Sequence, residues 1–183
     1  MGWILLVAGV ALWWGAHFFN RLAPDRRAAM GDRGRGIVAL ALFVSVGLMI
    51  LGYMNAWGPV WWGRSPALVG INNLLVLAGF YLYAASGMKT RATRVIRHPQ
   101  LTGFSLWAVA HLLVNGDLAS FMLFGGLLVW AQAEIVVLNR AQPEWTPPPP
   151  APAGKEIGAI VGAIVVTAVV MLIHNWLGYR PWA

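Results

Sequence analysis

The chain has no cysteine. That absence excludes disulfides, thiolate nucleophiles, cysteine-ligated iron–sulfur clusters and covalent C-x-x-C-H haem attachment. Charge is scarce as well. Only 10% of the 183 residues are charged, where soluble domains carry about 25%. Acidic side chains are the rarest, six Asp and Glu against thirteen Lys and Arg. No HExxH pair, histidine-rich run, Ser–His–Asp grouping or phosphate-binding glycine loop stands out, so hydrolase and nucleotide-driven chemistry lack their residues.

What is present is apolar. Hydrophobic residues make up 59% of the chain, with a mean hydropathy of +0.66. Crossing the ~30 Å hydrocarbon layer takes about 20 residues per helix. The apolar runs fall at about 3–20, 37–56, 67–88, 99–114, 118–138 and 157–177. The expectation is an all-α, polytopic integral membrane protein, one transmembrane domain over 1–183 with six spans. No soluble domain and no internal repeat stand out. Gly2–Asn20 lacks a preceding positive charge and a small-residue cleavage site, so it reads as a retained helix and not a signal peptide.

The connections carry their own signals. Arg21–Arg35 reads as a polar loop broken by Pro24, Gly31, Gly34 and Gly36. Trp57, Trp61 and Trp62 suit the headgroup layer. Lys89–His98 is a second basic loop, and Pro99 is placed to start the next helix. Asn115-Gly116-Asp117 reads as a tight turn joining a helical hairpin. Pro147–Pro150 reads as an extended polyproline spacer on the surface.

The net charge of +7 is topology information and not a nucleic-acid signal, because it sits in loops between apolar runs. Of the thirteen Lys and Arg, only Arg64 and Arg180 fall on one side; the rest fall on the other. The positive-inside rule puts that richer side in the cytoplasm and both termini outside. In a bacterium this is a multi-pass inner-membrane protein with periplasmic ends.

Ionisable groups within a bilayer are costly, so each is a functional candidate. Straight helices place His17, His98, Gln100 and Glu134 near the cytoplasmic level and His111, His174, Asn72 and Asn73 near the outer level. Each has a plainer reading. A membrane histidine or asparagine can bond a neighbouring helix. His98 can cap the hairpin, and Glu134 can snorkel or pair with Arg140. Gly158 and Gly162 read as close helix packing. Trp13, Trp14, Trp107 and Trp130 read as packing that would also suit a large planar ligand. Two histidines on separate helices can clamp a haem iron within apolar walls.

Several separated motifs, in order, resemble the NnrU protein family along nearly the whole chain. They include His17, Pro24, Arg27 and Gly31 early, Arg97-His98-Pro99-Gln100, Trp107, Ala110-His111-Leu112 and Asn115-Gly116 centrally, and His174, Trp176-Leu177 and Pro181 at the end. That family is named for an association with bacterial nitrite and nitric oxide reduction genes. It is similar to the plant plastid zeta-carotene isomerase, which carries haem b and isomerises a cis double bond of a carotenoid precursor. The likeness implies non-covalent haem b with His17 and His111 as axial iron ligands and His98 nearby. It also implies redox or isomerase chemistry on a lipophilic substrate.

An accessory role beside nitrogen-oxide reductase components, without lipid chemistry, is the alternative. Arg97-His98-Pro99 further resembles the helical hairpin of isoprenylcysteine-type membrane methyltransferases, which implies a methyl-donor site at Arg97, His98 and Glu134. Ideal helices place His17 and His111 more than about 10 Å apart in depth, while two axial nitrogens lie about 4 Å apart. The pairs His17/His98 and His111/His174 therefore stay open beside His17/His111.

Overall fold

In the computed structural model, which describes residues 1–182, almost every apolar run is helical. The helices are α1 (Gly2–Leu22), α2 (Pro24–Ala29), α3 (Gly31–Asn55), α4 (Pro66–Met88) and α5 (Pro99–Val114), followed by α6 (Leu118–Ala141) and α7 (Ala153–Trp176). Five of them, α1, α3, α4, α6 and α7, are long and apolar enough to cross a membrane. The exception among the six expected spans is α5. Its 16 residues reach ~24 Å at 1.5 Å per residue, short of the ~30 Å hydrocarbon layer. Large apolar side chains face outward along these helices, among them Phe43 at 79% and Leu172 at 62% exposure. A water-soluble surface would not carry them so densely. The chain is a helical membrane protein.

Two expected connections fold differently. Arg21–Arg35 is mostly helix and not a loop. Pro24 takes the first position of α2, where its missing N–H costs nothing. Gly31, at φ +51°, turns the chain into α3. Gly34 then lies within the first turns of α3 against Arg27 and Met30, where a β-carbon would collide. Gly34 serves close approach, while Gly31 supplies the left-handed backbone between the two helices. Asn115-Gly116-Asp117 is extended and not a tight turn: Asn115 has φ −131° and ψ 87°, and Gly116–Asp117 is a short strand. The ring of Trp62 lies where a Gly116 side chain would be, so the chain passes flat beneath it.

The tertiary contacts divide into two compact units. The first comprises Met1–Trp61 and Asp117–Trp130. Its centre is the α1–α3 hairpin, drawn together at Gly52, where a β-carbon would stand 2.3 Å from the Leu6 nitrogen. Leu6, Ser45 and Met49 are buried there. Small residues let membrane helices approach and gain dispersion contacts, since lipid offers no hydrophobic drive between them. The opening of α6 is held by Asp117. One carboxylate oxygen accepts the Ser120 N–H at 2.9 Å and the other accepts the Ser120 hydroxyl at 2.7 Å. Tyr53 Oη lies 2.8 Å from the same hydroxyl. One turn of π-helix, Phe121–Gly125, follows. Its extra residue re-aims everything downstream on α6.

The second unit comprises Trp62–Gly116 and the chain from Ala131 onward. α4 is packed by α5 on one side and α7 on the other. Ala159, Ala163 and Thr167, one turn apart on α7, form its buried stripe. Gln132 on α6 donates to the Ser105 hydroxyl at 2.7 Å, and Ser105 donates to the Leu101 carbonyl at 2.8 Å.

Candidate functional site

His17 occupies the penultimate turn of α1. Its Nδ1 lies 3.0 Å from the carbonyl oxygen of Trp13, four residues back. A carbonyl only accepts, so Nδ1 carries the proton and Nε2 of the neutral ring carries the lone pair. Two indoles frame this imidazole: Trp13 and Trp130 each lie 4.4 Å from it, centroid to centroid. They meet each other edge-on at 5.3 Å. Trp130, only 4% exposed, reaches His17 from α6 beyond the π turn.

In the second unit, His111 repeats this arrangement. Its Nδ1 lies 2.9 Å from the Trp107 carbonyl, and the Trp107 ring lies 4.9 Å away at 50°. Phe104 extends the aromatic wall at 5.1 Å from Trp107. The two histidines thus sit in the same five-residue module, Trp-x-x-Ala-His, at Trp13–His17 and Trp107–His111. Both alanines, Ala16 and Ala110, are buried. This duplication is legible in the sequence but spans only five residues, too short to stand out as a repeat.

His174 has the same internal bond, Nδ1 to the Val170 carbonyl at 2.8 Å, with Tyr179 at 6.4 Å. It lies within electrostatic reach of His111. His98 differs. Its Nε2 lies 2.9 Å from Asn139 Oδ1, so Nε2 is the protonated nitrogen, and the residue opens α5 as its N-cap.

A family model described as NnrU protein matches residues 5–181. The chain belongs to the NnrU protein family. No curated protein and no solved structure matches it.

In this NnrU family member the central Arg97-His98-Pro99-Gln100 motif is engaged with the chain itself. The Arg97 guanidinium donates to the carbonyls of Gln142, Pro143 and Glu144. His98 ties to Asn139, and the His98 carbonyl accepts from the Thr102 hydroxyl at 2.9 Å. Pro99 starts α5 as expected. Asn72 and Asn73 act between segments. Asn73 donates to the Pro181 carbonyl at 2.8 Å, and Asn72, in the amide orientation its neighbours require, donates to the Ala110 carbonyl at 2.9 Å. Glu134 is buried, 6% exposed.

A bare metal ion has no nest here: among the described residues no three or more His, Cys, Asp or Glu side chains gather to hold one. A macrocycle that brings its own four nitrogen donors needs only imidazole lone pairs above and below, with apolar aromatic walls. His17 and His111 are imidazoles with indole neighbours of those types.

Proposed function

We propose that this NnrU family protein is a six-span inner-membrane haem b protein with both ends in the periplasm, and that His17 and His111 are haem-ligating residues through Nε2. The supporting observation is the shared tautomer. In each Trp-x-x-Ala-His module the Nδ1 proton is committed to a backbone carbonyl. That bond fixes the ring's orientation and raises the basicity of Nε2, as in metal-ligating histidines generally. His98 has the opposite proton placement and fastens the α5–α6 hairpin instead.

When bound, haem would supply an iron centre for one-electron exchange or for polarising a double bond. The protein's own part is to present two neutral imidazoles and to keep water away with Trp13, Trp107 and Trp130. It would also admit a lipophilic substrate, such as a carotenoid precursor, from the bilayer. Cis/trans isomerisation of a polyene suits this setting, because the substrate need not leave the hydrocarbon phase.

The test is an absorption spectrum of the detergent-purified protein, oxidised and dithionite-reduced. A Soret band with sharp reduced bands, lost in His17→Ala and His111→Ala and kept in His98→Ala, is the expected result. A colourless protein from haem-replete cells would overturn the reading. Isomerase chemistry is then tested by supplying the haem-loaded, reduced protein with the cis substrate; no conversion would dismiss it.

Membership of the NnrU family favours a second reading, a non-enzymatic accessory to nitrite or nitric oxide respiration. It expects co-purification with a reductase and loss of reductase activity on deletion, with no polyene conversion. A deletion strain with full reductase activity would remove it.

A further inference from the structure

Between α6 and α7 the chain runs without regular structure from Gln142 to Pro152 and is mostly exposed. It holds Pro143, Pro147, Pro148, Pro149, Pro150 and Pro152. Proline-rich chain adopts the polyproline II helix, three residues per turn and ~3.1 Å per residue. Pro152 has φ −58° and ψ 148°, within that conformation. Pro147 and Pro150 share one face of such a helix, as do Pro149 and Pro152.

The plain reading is a spacer, but the ends of the segment argue against it. Its start is gripped by Arg97 through the carbonyls of Gln142, Pro143 and Glu144. Just past its end, Glu156 accepts the Arg91 N–H at 3.0 Å and the Tyr81 hydroxyl at 2.5 Å. Both ends are therefore fastened to one short stretch, Arg91–Arg97. Helix–helix connections usually need about 2–8 residues, and this one runs to 11, from Gln142 to Pro152. What the extra length provides is an exposed, stiff arch whose ordering cost has already been met by prolines and by its fixed ends. Lys89, Arg91, Arg94, Arg140 and Lys155 are exposed in the chain that flanks it and in and beside the stretch that holds it.

We propose that Trp145–Pro152 is a docking handle for a soluble protein domain that reads polyproline II chain. The domain would use an aromatic-lined groove, with an acidic rim that complements those exposed cations. Aromatic grooves take such ligands because the helix is preformed and its proline faces are apolar. The handle lies on the side that the Lys and Arg distribution assigns to the cytoplasm, and its role does not depend on haem.

The test titrates the full-length, detergent-purified protein with three isolated probes, an SH3, a WW and an EVH1 domain, which represent the known polyproline-reading modes. Saturable binding by at least one of them is expected, weakening with salt. The double variant Pro147→Ala/Pro150→Ala should bind about tenfold more weakly with an unchanged melting temperature. A peptide spanning Glu144–Ala153 should compete for the bound domain. Binding by none of the three probes, or equal binding to wild type and double variant without competition by the peptide, would overturn the proposal.

Discussion

Gly79 on α4 and Gly103 on α5 stand back to back. A β-carbon on Gly79 would lie 2.9 Å from the Gly103 carbonyl oxygen, and one on Gly103 would lie 2.7 Å from that of Gly79. Backbone on both sides cannot yield, so any larger residue must push the helices apart. Gly79→Leu and Gly103→Leu should each cost about 1–3 kcal/mol or more of stability by overpacking. Thermal unfolding in detergent should show a clearly lower midpoint for both. Gly87→Ala on the same helix, where nothing lies within 4 Å of a β-carbon, should leave the midpoint in place. Equal midpoints for Gly79→Leu and wild type would show that the two helices do not meet at these glycines.

The proton positions on the four imidazoles are a separate prediction. His17, His111 and His174 each hold Nδ1 against a carbonyl four residues back, while His98 holds Nε2 against Asn139. Nitrogen-15 NMR of the haem-free protein near pH 8, where neutral imidazole dominates, should show three Nδ1-protonated rings and one Nε2-protonated ring. Assigning His98 to the majority tautomer, or His17 and His111 to the minority one, would remove the structural support for their ligand role.

Much of this fold is legible in the chain because a membrane span must satisfy its backbone internally and bury apolar length. Six apolar runs therefore map onto six helices, with α5 beginning at Pro99 as its sequence implies. The misreadings have different causes. Gly31, Gly34 and Gly116 look like loop punctuation, yet Gly31 holds a φ of +51° between two helices and Gly34 meets Arg27 and Met30 a turn or two back, while Gly116 is demanded by Trp62 approaching from elsewhere. Only that last approach is a tertiary fact with no local signature. The indole pair around His17 is half legible: Trp13 belongs to the repeated module, but Trp130 arrives only because a π turn shifts the register of α6. Likewise the Arg97-His98-Pro99 motif announces a hairpin, but not that Arg97 would grip carbonyls 45 or more residues away.

The start of α6 depends on Asp117. Its carboxylate caps the helix through the Ser120 N–H and also accepts from the fully buried Ser120 hydroxyl, which Tyr53 meets. Asp117→Ala removes the cap and leaves a buried hydroxyl short of an acceptor, so about 1–3 kcal/mol should be lost. Asp117→Asn keeps a capping oxygen and should recover a good part of that loss. The comparison is read from unfolding midpoints of the two variants. If alanine and asparagine are equally mild, the cap contributes little and the π turn must be held by other contacts.

The last prediction separates fastening from ligation at His98. If His98 works through Asn139, the two side chains are thermodynamically coupled. His98→Ala and Asn139→Ala should then cost less together than the sum of their separate costs. Hydrogen bonds between membrane helices average about 0.6 kcal/mol by such cycles, and this partly exposed pair should fall near that value. A ligand role predicts something else: His98→Ala would remove the haem spectrum, Asn139→Ala would spare it, and the cycle would show no coupling in the haem-free protein. The two readings therefore differ in two observables, the Soret intensity of His98→Ala and the coupling energy. Intact spectra in both variants with measurable coupling would identify His98 as the clasp of the hairpin that carries His111.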